Sequence, residues 1–326
     1  MSLTRRSLIG TGAALALVKA GQAAQAPWPG ALVMGTGEPG GAYAIFGPAW
    51  GQLVKHATGI DIAYRATGGS SANLLLIEEG SAQLGLASVP VAAQARAGTA
   101  NWTAGVKLDS FRALFPTYPS VLQIIAATGS GVTNLAGLTA QPIGVGPAGA
   151  SSAVLLKQIL TSIGVNPGRI ETGNYEQQVR RMLEGQLAAC AFIGAPPLPA
   201  INAAAMGRKL VLIGFSDAEA AQAGRFIPGL SRMILHAGTF PGQTVDVGSL
   251  GAMNVAVGTS ALPDSLAEAI TAAALKNRHL LAVAVRDAAK PQPVKPVYEA
   301  GLRFHPGAAK ALRAAGYHLP RDAVQA

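Results

Sequence analysis

The sequence predicts an α/β protein of two lobes, each built on a parallel sheet with helices on its faces. Three observations predict it. Strand and helix patterns alternate from Ala31 to Ala87. A second strand, glycine loop and helix begin about 110 residues further on, at Ile143. Without an amino-terminal signal, the 326-residue chain leaves about 300 residues, enough for two lobes.

The elements follow in order. Ala31–Met34 is a short apolar strand, and the glycine loop "GTGEPGG" follows it. Tyr43–His56 has a helical pattern, which Pro48 is expected to interrupt or restart. Ile60–Thr67 reads as a strand, Ser71–Glu79 as a helix stopped by Gly80, and Gln83–Ala87 as a strand. This β-α-β-α-β order argues for parallel pairing. Phe111–Pro116 and Val121–Ala127 read as two strands parted by Tyr118 and Pro119. Ile143–Val145 is the strand of the second unit, Gly146–Ala150 its loop and Ser152–Ile163 its helix. "YEQQVRRMLEGQLAACAFIG" adds an amphipathic helix, a stop at Gly185 and a buried strand. From Leu262 the pattern is mostly helical. The chain is expected to cross between lobes near Tyr118–Leu122 and near Leu250–Val257. That assigns residues 27–121 and 257–326 to lobe I and 122–256 to lobe II, with a cleft between them.

The amino terminus reads as a twin-arginine export signal over residues 1–26. Arg5 and Arg6 precede an apolar run, Leu8–Val18, and Ala24-Gln25-Ala26 supplies the small residues of a cleavage site. The run is too short to span a bilayer, which takes about 20 residues. A general secretory signal is the alternative. Either places the protein in the periplasm.

After cleavage 22 basic and 16 acidic residues remain, a balance of +6. The basic residues are scattered and no aromatic-studded basic stripe occurs, so no nucleic-acid partner is expected. A mild positive field suits a small anion. Cys190 is the only cysteine, which excludes an intrachain disulfide, and it lies in an apolar stretch that reads as core.

Gly35, Gly37 and Gly40 spell G-x-G-x-x-G, and Asp61 follows Gly40 by 21 residues. This is nearly the dinucleotide-binding fingerprint. In that fold the acidic residue ends the second strand and reaches the ribose. Here Asp61 begins the second strand, at the far edge of the sheet. The end near the loop carries Thr67-Gly68-Gly69-Ser70. The fingerprint fails on geometry, and no cofactor is expected.

The loops still favour an anion, because backbone N–H groups and helix dipoles point out of such turns. Thr67-Gly68-Gly69-Ser70-Ser71 repeats the arrangement, and Ser88 ends the third strand. Plainer roles stand beside this one. The glycines serve a tight turn, Ser70 and Ser71 cap a helix, and Asn73 satisfies a loop carbonyl. No buried acid is expected to face the ligand.

Catalytic chemistry finds no support. "GGSSA" around Ser70 ends in Ala72 and misses the G-x-S-x-G elbow. His56, His236, His279, His305 and His318 have no metal-binding spacing. His305, before Pro306-Gly307, reads as a turn or cap residue. Glu78-Glu79 reads as a charged surface face. No metal is expected.

The segment "GTGEPGGAYAIFGPAWGQLVKHATGIDIAYRATGGSSANLLLIEEGSAQLGLA" resembles the opening of the TAXI substrate-binding proteins, the periplasmic receptors of one branch of TRAP transporters. The matching motifs are Thr36 to Tyr43, Thr67 to Asn73 and Gly80 to Leu86. "NLAGLTAQPIGVGPAGASS" and "LRFHPGAAKALRAAGYHLP" extend the resemblance over nearly the whole mature chain. It implies a two-lobed, type II-like periplasmic binding protein fold without enzymatic activity. Such a receptor closes, as a monomer, on a small carboxylate, an organic acid or an amino acid such as glutamate or 2-oxoglutarate. It then delivers the ligand to a TRAP-type permease driven by an ion gradient. The ligand-binding positions so implied are Thr36, Gly37, Gly40, Gly41, Tyr43, Thr67, Gly69, Ser70 and Asn73, with Gly149, Ser151 and Ser152 from the second lobe. The chain departs from the family at Gly149-Ala150-Ser151 and at Ala87-Ser88-Val89-Pro90, where the family often carries more polar loops. A ligand-sensing receptor without transport, or an exported hydrolase or transferase, is the alternative function.

Overall fold

The computed structural model describes residues 27–324, and the export signal read at residues 1–26 lies outside them. In chain order the elements are β1 (Ala31–Gly35), α1 (Tyr43–Thr58), β2 (Asp61–Arg65), α2 (Ser70–Glu78), β3 (Leu84–Ser88), α3 (Val89–Ala97), β4 (Phe111–Ala127), β5 (Ile143–Gly144), α4 (Ser151–Ser162), β6 (Ile170–Glu171), α5 (Tyr175–Leu183), β7 (Ala189–Gly194), α6 (Pro199–Gly207), β8 (Leu210–Ile213), α7 (Asp217–Phe226), β9 (Leu230–Leu235), β10 (Val247–Thr259), α8 (Asp264–Lys276), α9 (Lys295–Glu299) and α10 (Pro306–Ala314).

Two parallel units share one winding. The first has strand order β2-β1-β3 and the second β6-β5-β7, so each begins on its middle strand and crosses over twice. They belong to a single sheet, β2-β1-β3-β10-β4-β7-β5-β6, with β8 on β4 and β9 on β10. Two long antiparallel strands join them. From Phe111 to Val121, β4 pairs with β10; from Val121 it pairs with β7, then β8. Likewise β10 pairs with β9 over Val247–Ala252 and with β3 over Asn254–Gly258.

Two expectations are corrected here. The stretch read as two strands around Pro119 is the continuous β4. Proline removes a ladder donor and is confined to edges and bulges. The register breaks of β10, between Met253 and Val255 and between Ala256 and Val257, lie beside the partners of Pro119 and Pro116. The second correction is α1, which runs unbroken through Pro48. An interior proline costs about 3 kcal/mol. The buried stripe Phe46, Trp50 and Val54 offsets it, since each such side chain contributes roughly 1.5–3 kcal/mol. Gly59, left-handed at φ 75°, then closes the helix on the Lys55 carbonyl.

The late helices cover the first unit. α8 packs on α1 and α10, and α10 also touches β4. His305 caps α10 by accepting the Gly307 N–H at Nδ1, 3.3 Å away, while Nε2 lies 3.1 Å from the Leu262 carbonyl oxygen. Gly307 approaches the Asp264 backbone too closely for any Cβ. Glu78, read as part of a charged surface, instead accepts the Ser110 N–H at 3.0 Å. Among the described residues no helix is long and apolar enough to cross a membrane.

Candidate functional site

In a parallel unit every strand hands over to its helix at the same edge, so the helix N-termini gather there. α1 and α2 begin at that edge of the first unit, and α4 and α5 at that edge of the second. α6 begins beyond β7. Residues at all five starts line one cavity: Tyr43, Ser70, Ser151, Tyr175 and Leu198. Its volume is about 40 Å³, where a single buried water takes roughly 10–15 Å³. There is room for a compact solute and little else. Each helix start leaves N–H groups without an intrahelical partner and carries the positive end of the dipole. Neither Lys nor Arg is among the lining residues, so the attraction for an anion comes from the backbone and hydroxyls.

The hydroxyls form a chain across the two units. The Tyr43 hydroxyl donates to Asn254 Oδ1 at 2.6 Å and lies 3.3 Å from Ser70 Oγ. Ser70 Oγ accepts the Ser88 N–H at 3.0 Å and lies 3.0 Å from Ser151 Oγ. Ser151 in turn donates to Ser88 Oγ at 2.9 Å. The Ser71 N–H reaches the Gly149 carbonyl at 3.2 Å, and Gln94 donates to Gln158 at 2.8 Å. A Cβ on Gly68 would stand 2.8 Å from the Gly149 nitrogen. The units therefore meet backbone to backbone beside the cavity.

Of the residues implied by sequence, Gly37, Gly41, Tyr43, Gly69, Ser70 and Ser151 line the cavity. The others stand behind it. Thr36 is buried and bonds to the Arg65 carbonyl at 3.2 Å. Asn73 is fully buried and spends both amide hydrogens on the carbonyls of Thr36 and Leu86, each at 2.8 Å. The Thr67 hydroxyl sits 3.0 Å from the Thr36 carbonyl and 2.8 Å from Asn73 Oδ1. Ser152 turns to the Val145 carbonyl of its own unit at 2.7 Å. Gly40, at φ 87°, makes a turn against Tyr175, and Gly149 packs on Gly68. Ser70 is no helix cap either, because the N-cap position of α2 is Gly69 and makes no side-chain bond.

Sequence reasoning missed Glu38, Tyr118, Ser120, Tyr175 and Asn254, all of which line the cavity. Asn254 left a signal, a lone amide within the apolar run "LGAMNVAVG". Its Nδ2 donates to Ser120 Oγ at 2.7 Å and to the Tyr118 carbonyl at 2.9 Å. Tyr175 follows Asn174, whose side chain caps α5 and so fixes where that ring emerges. Glu38 adds a half-buried acid to the cavity wall, which sequence reasoning did not place there. One of its carboxylate oxygens, Oε2, is enclosed and has no hydrogen-bond partner.

Burial pushes the Tyr43, Tyr118 and Tyr175 phenols well up, so all three hydroxyls stay protonated at neutral pH. Among the described residues no histidine or carboxylate is hydrogen-bonded to Ser70 or Ser151. None of the five histidines lines the cavity, and the hydroxyl chain ends on an amide. A nucleophilic serine needs a base within about 2.6–3.2 Å. Among the described residues no group of three metal-ligating side chains occurs. Asp61 begins β2, exposed and paired with Lys55 at 2.7 Å, far from the glycine loop.

Solved structures share this architecture. One, a periplasmic transporter, superposes with a TM-score of 0.51 at 14% identity, covering 88% of this chain and 96% of that one. A Xanthomonas citri protein bound to chloride ion superposes with a TM-score of 0.50 at 12% identity, covering 88% and 99%. An amino acid ABC transporter substrate-binding protein of Streptococcus pneumoniae, bound to L-arginine, gives 0.48 at 13% identity over 80% and 95%. The fold is the mixed α/β fold of type II periplasmic binding proteins, a curled sheet with helices on its faces. Residues 34–316 match the NMT1-like family over almost all of the described chain, and the protein belongs to that family.

Proposed function

We propose that this protein is an exported, monomeric solute-binding receptor of the periplasm. It captures a small carboxylate, an organic acid or an amino acid such as glutamate or 2-oxoglutarate. Lobe I, residues 27–121 and 257–326, and lobe II, residues 122–256, close over the ligand. It then delivers the ligand, chemically unchanged, to a membrane permease of the TRAP type. The observation that carries this reading is the meeting of five helix N-termini at one cavity between the two units. The same cavity lacks an activated nucleophile, which speaks against a hydrolase or transferase. The resemblance to TAXI receptors at Thr36–Tyr43 and Thr67–Asn73 supports the transport role.

A thermal-shift screen of organic acids, amino acids, sugars and nucleotides tests it. A true ligand at 100 times its dissociation constant is expected to stabilise the fold by about 2.7 kcal/mol. A screen in which only sugars, cations or nucleotides raise the transition contradicts the carboxylate assignment.

A further inference from the structure

Glu38 lies in the loop between β1 and α1, five residues before Tyr43, where the helix starts, and lines the cavity. A carboxylate only accepts hydrogen bonds. Its Oε2 is enclosed without a partner, and Glu38 makes no ion pair among the described residues. The residue's backbone is occupied, since its carbonyl accepts the Gly41 N–H at 3.1 Å. The side chain is the part left over. Beside it stands Tyr175, whose phenol is pushed up by burial and then by the Glu38 charge. A second orphan shares the wall. Tyr118 is fully buried, and its hydroxyl has no partner. The cavity thus has two characters. The helix starts around Ser70 and Ser151 favour negative charge, whereas Glu38 and the tyrosine rings favour positive charge.

An anion alone would satisfy the first part and add like charge beside the second. Glu38 is half-buried, and its enclosed oxygen without a partner is a cost that a charged N–H donor relieves most fully. We propose that Glu38 reads a cationic nitrogen on the ligand, so that the site takes a compact amino acid zwitterion in preference to the matching hydroxy acid. This rests on the receptor reading above and assigns Glu38 as its specificity-determining residue.

Paired probes that differ only in –NH3+ against –OH test the assignment by isothermal titration calorimetry at neutral pH. The pairs are L-alanine with L-lactate and L-glutamate with L-2-hydroxyglutarate. In the wild-type chain the bound amino acid should be tighter than its hydroxy acid by at least about tenfold, the low end for a hydrogen bond to a charged group. Glu38→Gln, of the same shape, should remove that preference and leave hydroxy acid affinity equal or higher. Equal or tighter hydroxy acid binding in the wild type overturns the role of Glu38 while leaving the receptor standing. So does an unchanged preference in Glu38→Gln. The wild-type ratio stands as a test even where the variant folds poorly. Binding of neither pair overturns the zwitterion, and a screen without any carboxylate ligand then overturns the receptor reading as well.

Discussion

Ser70 and Asn73 lie three residues apart on α2 and do different work. Asn73 clasps the carbonyls of Thr36 and Leu86 behind the glycine loop, tying the ends of β1 and β3 to the helix. Replacing it with alanine leaves buried carbonyls short of a donor, and the expected loss is about 1–3 kcal/mol of stability. Ligand affinity per folded molecule should change little. Ser70 faces the cavity, so Ser70→Ala should weaken the ligand by about 0.5–3 kcal/mol. Denaturant melts and titration calorimetry on the two variants separate these roles. His305 offers a pH test. Burial holds its imidazole below the ordinary value of about 6.5, against the opposing pull of Asp264, 3.6 Å away. The unfolded chain therefore takes up this proton first as pH falls. The His305 contribution is fully present above about pH 6.5 and is lost below it, levelling off once the folded histidine also protonates. His305→Asn puts a capping oxygen in place of Nδ1 and should flatten that part of a stability–pH curve. An unchanged slope would remove His305 from the account.

At the scale of elements, the glycines matter for distance as much as for turn geometry. Gly68 and Gly149 bring the loops before α2 and α4 into backbone contact, and a Cβ on either meets the other's main chain. Gly68→Ala is expected to hold the two units apart. The ligand should weaken by tenfold or more, about 1.4 kcal/mol, with little change in the melting of the ligand-free chain. Small-angle scattering with and without ligand would show whether closure is lost. A variant that binds and closes like the wild type would contradict the contact's role. Much of this level was legible in the sequence. The first β-α-β-α-β unit could be read because helix and strand periods alternate cleanly between glycine stops, and the second could be read except for the two-residue β6, too short to show a period. β4 and α1 were misread at Pro119 and Pro48, because local breaker signals carry no information about the bulged partner strand or the buried aromatic stripe that accommodates them. The candidate site was half legible. Gly37, Gly41, Tyr43, Gly69, Ser70 and Ser151 sit where strand ends predict. Glu38, Tyr118, Tyr175 and Asn254 come from a loop, a helix start and two long strands that only the folded sheet brings together.

For the whole molecule, a sheet that runs through both units sets the possible motion. β4 and β10 are the two strands that connect the halves, and the hydrogen bonds opposite them join Ser70 and Ser88 with Ser151, Ser71 with Gly149, and Gln94 with Gln158. The central claim is that these halves enclose a small carboxylate and release it unchanged. Mass spectrometry of the small molecules freed by denaturing protein purified from the periplasm tests it most directly. The account predicts one carboxylate-bearing compound at one copy per chain, recovered with the same mass after prolonged incubation with fresh protein. A sugar or nucleotide in its place, or a carboxylate converted to another compound, would contradict it.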